Sequence, residues 1–194
     1  MAYETKAVAR RRKLRDALIT AAERTIAAEG LRGLKARELA YKVGCAVGAI
    51  YNVFDDLDDL IFAVNALTLE QLERMHQLKT GAMLRVSVLL GALAGRDLAS
   101  HEREALAEYS RAIGLAFQVV DDVLDATADS ATLGKTAGKD AADNKPTYVS
   151  ILGLAPSKAL AEQLRQQAHD ALAPFGEQAL RLREIADLIV QRKA

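Results

Sequence analysis

"GLAFQVVDDVLDATADSATLGKTAGKD", residues 114–140, decides how this chain is read. Its first half is apolar on nearly every side of a helix, yet it carries Asp121, Asp122 and Asp125. A buried carboxylate costs free energy unless a cation or a hydrogen-bond donor meets it. At about 100° per residue, Gln118, Asp121, Asp122 and Asp125 fall within an arc of roughly 100°. Ile113, Ala116, Phe117, Val119, Val120, Val123 and Leu124 cover the rest of the helix. The acids therefore form one stripe on an otherwise buried helix, and such a stripe lines a cavity. Mg2+ is the natural occupant, because it takes oxygen ligands, retains water and bridges carboxylates to phosphates. The loop that follows supplies positive complements in Lys135, Lys139 and Lys145. "GKT" at 134–136 is not a phosphate-binding P-loop: the glycine required five residues before Gly134 is Asp129, and no strand precedes it.

Outward from that stretch, the chain reads as all-α. It is 51% hydrophobic, with no Trp and only three Pro, and no run of alternating β-branched residues marks a strand. Helices are expected over 10–29 (stopped by Gly30), 35–43, 47–54 and 102–125, with a tight turn at Gly44-Cys45-Ala46. A fourth helix, capped by Asp55 or Asp56, runs to Gly81 or beyond. After a loop over 126–145, Pro146 opens the next helix. Two more fill 157–173 and 177–192, separated by Pro174 and Gly176. A single cysteine, Cys45, excludes an internal disulfide and points to a reducing cytoplasm. Cys45 itself reads as a small turn residue packed on the core. The most apolar stretch, 81–95, is interrupted by Arg85 and short for a bilayer, so no membrane partner is expected.

The net charge is zero but unevenly spread. Residues 1–54 hold 11 Lys/Arg against 5 Asp/Glu, while residues 55–75 hold one Arg against six acids. A basic head on a neutral-to-acidic body suits a polyanion partner for the head alone. Two short helices joined by a Gly-containing turn suit a helix-turn-helix. Ala46, Val47, Gly48 and Ala49 are small enough to let the second helix sit deep in a major groove. Arg10 to Arg15, Lys35, Arg37 and Lys42 are candidates for phosphate contacts. "LKARELAYKVGCAVGAIYNVFDDLDDLI", residues 34–61, resembles the DNA-binding unit of tetracycline-repressor (TetR) type regulators, and the resemblance covers roughly residues 10–72. Leu39, Ala40, Gly44, Gly48, Ile50, Tyr51 and Phe54 carry it. It implies that Tyr51 and Lys35 touch backbone phosphates, while Ala46, Val47 and Asn52 lie near bases, and it makes DNA the partner. The family commonly has Thr at Lys35 and Ser at Ala46, and it lacks the acids Asp55 and Asp56. The alternative reading is a helical bundle with a solvated basic face.

A second resemblance starts near Glu73 and runs to the end. "HQLKTGAMLRVSVLLGALAG", "IGLAFQVVDDVLD" and "LGKTAGKDAADNKPTYVSILGL" are similar to the C-terminal half of trans-prenyl diphosphate synthases, the farnesyl and geranylgeranyl type. It implies that Asp121, Asp122 and Asp125 hold Mg2+ on an allylic diphosphate. It also implies that Lys79, Thr80 and Gln118 lie beside the diphosphate and the nascent carbocation, and that Lys135 and Lys145 contact diphosphate. The family's first aspartate-rich motif, with its trailing arginine pair, is absent. "FDDLDDLI" at 54–61 imitates it without the arginines, and reads as a capped helix terminus.

These readings divide the chain into a TetR-like helix-turn-helix domain, 1–72, and a partial isoprenoid-synthase bundle, 73–194. A shared helix joins them, since residues 68–80 contain no Pro or Gly. The expected function is that of a regulator-like DNA-binding protein whose body binds a prenyl diphosphate through Mg2+, a recombined or engineered chimera. Two-headed operator binding requires a homodimer. Prenyl transfer, and a structural chimera with neither activity, stand as the alternatives.

Overall fold

The computed structural model describes residues 6–127 and 146–192, all α-helix, turn or coil, with no strand among them. The order is α1 (Lys6–Glu29), α2 (Ala36–Val43), α3 (Val47–Tyr51), α4 (Leu57–His76), a π-turn (Gln77–Gly81), α5 (Ala82–Gly95), α6 (Ser100–Thr127), α7 (Tyr148–Leu152), α8 (Leu154–Ala171) and α9 (Leu180–Gln191). The chain forms two compact units, Met1–Thr68 and Leu69–Ala194. The fold is all-α, as the composition requires.

In the first unit, α1 turns Leu18, Ile19 and Ala22 onto Leu39, Ile50 and Leu60. Gly30 ends α1 with φ 71°, in the left-handed region where a Cβ is strained. Its N–H closes on the Ile26 carbonyl at 2.8 Å. Asp56 caps α4 by accepting from the Asp59 N–H at 2.7 Å, and the Asp59 carboxylate reaches back to the Asp55 N–H at 3.2 Å. The acids of "FDDLDDLI" thus satisfy first-turn donors of α4, the role expected of a helix terminus.

In the second unit α6 is the spine. Eleven of its residues are buried, from Leu106 to Val123. One group, around Tyr109, Ala112 and Ile113, packs on Ala168, Leu172 and Ala186. The other, around Leu115, Val119 and Val120, packs on Tyr148, Ala161 and Leu164. The Tyr109 hydroxyl donates to the Leu182 carbonyl at 2.7 Å, and burial pushes its pKa up to about 12.

Two local expectations need correction. α3 ends at Tyr51, not at residue 54, because the Val53 and Phe54 N–H groups both fold back onto the Ile50 carbonyl at 2.9 Å. Pro146 does not open a helix. Thr147 does, in a capping box: its hydroxyl accepts from the Ser150 N–H, and the Ser150 hydroxyl accepts from the Thr147 N–H. As expected, helical structure runs on past Gly81, over the 39 residues Leu57–Gly95. That stretch is long and apolar enough to cross a membrane by length and composition, so length no longer sets it apart from a span.

Gly81 does not break the helix because it stays right-handed, with φ −61° and ψ −37°. It instead allows a close approach to α6. A Cβ added to Gly114 would meet the Gly81 Cα at 3.1 Å. Gly114→Val is therefore expected to cost about 1–3 kcal/mol through overpacking against backbone. A urea titration reads this as a lower midpoint with an unchanged slope, and an unchanged midpoint would show that α6 and the π-turn can separate freely.

Candidate functional site

Each unit carries a candidate site. In the first, α2 closes on Gly44, held at φ 73°. The Cys45 N–H bonds the Ala40 carbonyl at 3.0 Å and the Gly44 N–H bonds that of Tyr41 at 3.2 Å, the paired bonds of a Schellman motif. Cys45 is half-buried on the core. Leu39, Ala40 and Ile50 face inward, and Lys35, Arg37, Ala46, Val47, Gly48, Tyr51 and Asn52 are all exposed. No side chain lies within 4 Å of the place where a Gly48 Cβ would be, so this face is open.

The basic residues divide into two sets. Lys35 pairs with Glu38 on the surface at 3.0 Å, and that partner raises its pKa. Lys42, a candidate phosphate contact by sequence, turns back to α1 instead, donating to Thr25 Oγ1 at 2.9 Å and facing Glu29 at 3.7 Å. Arg15 lies over the Phe54 ring at 5.5 Å. Sequence reasoning passed over Tyr41, which is 89% exposed on α2. Its position inside an amphipathic helix gave no sign that the ring points to solvent.

In the second unit, the π-turn and α6 bring two predicted residues into contact: Gln118 Nε2 donates to Thr80 Oγ1 at 3.3 Å. Lys79 is exposed beside them. The aspartates have protein partners. Asp122 Oδ2 accepts from the Tyr148 N–H at 2.8 Å, which secures the first turn of α7 to α6. Asp121 meets Arg192 at 3.3 Å. Arg192 also donates to the Phe117 carbonyl at 3.0 Å and lies over the Phe117 ring at 4.1 Å. Asp125 is half-buried one turn further on. Lys135, Lys139 and Lys145 lie outside the described residues.

Two residues that sequence reasoning missed complete this region. His76 and Tyr148 stack at 6.0 Å between centroids, and His76 Nε2 and the Tyr148 hydroxyl are both buried without a hydrogen-bond partner. Burial, then Lys79, lowers the His76 pKa, with Asp121 opposing; burial, then Glu73 and Asp122, raises that of Tyr148.

Among the described residues no three acidic, His or Cys side chains converge as a metal-ligand set. Mg2+ is commonly held by one or two carboxylates together with substrate phosphates. Asp121 and Asp125 lie one turn apart on α6, but Asp121 already meets Arg192 and Asp122 accepts from the Tyr148 N–H.

Residues 62–174 match the family described as Polyprenyl synthetase. The chain belongs to the polyprenyl synthetase family. Residues 18–64 match a second family, described as Bacterial regulatory proteins, tetR family. A probable farnesyl diphosphate synthase of Sinorhizobium fredii is 42% identical over 173 residues, covering 88% of this chain and 52% of the relative. The farnesyl diphosphate synthase of Escherichia coli is 44% identical over 127 residues, covering 64% of this chain and 42% of that one. A crystal structure from Marinomonas sp. MED121, provisionally assigned as a farnesyl-diphosphate synthase, superposes with a TM-score of 0.52 at 33% identity, covering 68% of this chain and 45% of that one. The chain thus spans about half the length of the curated relatives it matches. As a polyprenyl synthetase family member it has the aspartate-bearing helix, α6, in its core.

The lowered His76 pKa has a direct consequence. The unfolded chain takes up the imidazole proton first, near the ordinary value of 6.5, so stability is lost as pH falls below that value. In thermal melts, His76→Gln is expected to flatten the acid-side loss relative to wild type between about pH 7 and 5. Parallel curves for the two proteins would show that His76 titrates as it does in the unfolded chain.

Proposed function

We propose that this chain is a DNA-binding, regulator-like protein whose synthase-like body binds a prenyl diphosphate through Mg2+ without elongating it. In this reading residues 1–72 bind DNA and residues 73–194 bind the diphosphate, and the chain is a recombined or engineered chimera of the two families. The observation that carries the DNA reading is the exposed set Lys35, Arg37, Ala46, Val47, Gly48, Tyr51 and Asn52 around a glycine-closed turn. Tyr51 and Lys35 contact phosphates, with Glu38 giving up Lys35 to the stronger polyanion. Ala46, Val47 and Asn52 approach base edges.

In the body, Asp121 and Asp125 would hold the metal together with the diphosphate, which requires Asp121 to be released from its pair with Arg192. Lys79 neutralises charge on the diphosphate, joined by Lys135 and Lys145 in this reading. Mg2+ supplies charge neutralisation between the carboxylates and the diphosphate, which otherwise repel. The chain lacks the first aspartate-rich motif, so a departing diphosphate would be stabilised from one wall only. A second reading, prenyl transfer, is favoured by the farnesyl diphosphate synthase names of the relatives. Conversion of labelled isopentenyl diphosphate to longer chains above a no-protein control would establish it.

DNA affinity is expected to fall steeply with salt, by counterion release, and to be lost in the Tyr51→Ala/Lys35→Ala double variant. Fluorescence anisotropy on a labelled duplex measures both, and a salt-independent signal contradicts the reading. Inorganic diphosphate is expected to raise the melting temperature only with Mg2+ present, and Asp121→Ala/Asp125→Ala to abolish the shift. Equal shifts with and without metal would remove the site.

A further inference from the structure

The face of α6 turned away from the aspartate stripe borders a cavity of its own. Val120, Val123, Leu124 and Thr127 line it. They lie roughly 160° around the helix from the stripe of Gln118, Asp121, Asp122 and Asp125. α8 and α9 complete the apolar walls through Ala161 and Val190, and the cavity holds about 280 Å3. A cavity of about 150 Å3 lined by apolar side chains accepts benzene. This one therefore has room for one six-membered ring and a polar substituent. Three charged side chains border the apolar floor: Lys158, Glu162 and Arg192.

The three charges are not equivalent. Glu162 is gripped by Arg165, with Oε1 2.5 Å from Nη2 and Oε2 3.0 Å from Nε, so its charge is already met. Lys158 has no ion-pair partner among the described residues. Arg192 is committed through one nitrogen. Its Nη2 donates to the Phe117 carbonyl at 3.0 Å and to Asp121 at 3.3 Å, whereas its Nε is buried with no acceptor. A buried donor without an acceptor is costly, and it points to a group that this wall is shaped to receive. Two cations beside one neutralised acid select an anion. The apolar floor rejects an anion charged all round, since phosphate or sulfate would press oxygens against Val123 and Leu124. A carboxylate at one end of a small apolar body satisfies both ends of the cavity.

We infer that the cavity between α6, α8 and α9 is a binding site for a small apolar monocarboxylate, held by Lys158 and Arg192 over the floor of Val120, Val123 and Val190. The aspartate stripe faces away from it, so the site stands whether or not the body binds a diphosphate.

Benzoate is the probe, and amide proton–nitrogen NMR spectra of the full chain locate it. Saturable shifts are expected at Val120, Val123, Thr127, Lys158 and Ala161, with a Kd of about 1 mM, which is within reach of a ligand this small. Benzamide, the uncharged isostere, and the Lys158→Glu variant are each expected to weaken binding at least about tenfold, because the charge that Lys158 and Arg192 meet is lost or the cation is reversed. Thr127→Phe, at an exposed position on the rim, is expected to fill the cavity and abolish the shifts. Inorganic phosphate is expected to produce none of them. The dispersion of each variant's own spectrum shows that it is folded. Shifts that do not saturate, that fall only elsewhere on the chain, that survive Lys158→Glu or Thr127→Phe undiminished, or that benzamide or phosphate reproduces at equal concentration overturn the proposal.

Discussion

Two glycines set the geometry of the second unit. Gly81 and Gly114 let the π-turn and α6 approach almost backbone to backbone, closer than any side chain permits. That approach puts Thr80 within hydrogen-bond reach of Gln118 and sets Lys79 and His76 alongside the aspartate stripe. The π-turn at this crossing also fixes the phase of everything after it, so the direction in which α5 presents its apolar side chains follows from the same feature. One residue fewer in the turn would rotate that face by roughly 100°.

The aspartates show how a buried helix tolerates charge. Each carboxylate sits at the edge of the α6 core, and the two with described contacts are met from elements far along the chain. Asp122 takes the backbone donor that opens α7, and Asp121 takes the guanidinium that follows α9. Arg192 adds a carbonyl and a ring face to its grip, which orients it without a second acid. The protein thereby supplies part of the positive complement that the sequence had assigned to metal and lysines.

Much of this was legible in the residues. Gly30 and Gly44 marked the ends of α1 and α2 because only a left-handed residue closes those turns. Asp55 or Asp56 marked the start of α4, where Asp56 proves to be the cap, and the periodic apolar positions marked α1. What stayed hidden was non-local or geometric. Nothing in residues 113–125 shows that Arg192 or the Tyr148 N–H will arrive there. The π-turn leaves no mark in composition. Lys42 looked like a phosphate contact until Thr25 and Glu29 appeared beneath it. Pro146 had a plausible cap role that Thr147 fills better, because a hydroxyl can accept the N–H that proline merely lacks.

The two units pose one functional question: whether the open helix-turn-helix face and the synthase-like body each keep a ligand. In the account given above, the head reads DNA, and two heads pair on one operator. Selection from a random pool of DNA duplexes tests that claim most directly. The account predicts enrichment of an inverted repeat by the wild-type chain. Recovery of an unenriched pool, or of the same sequences by the Tyr51→Ala/Lys35→Ala variant, would contradict it.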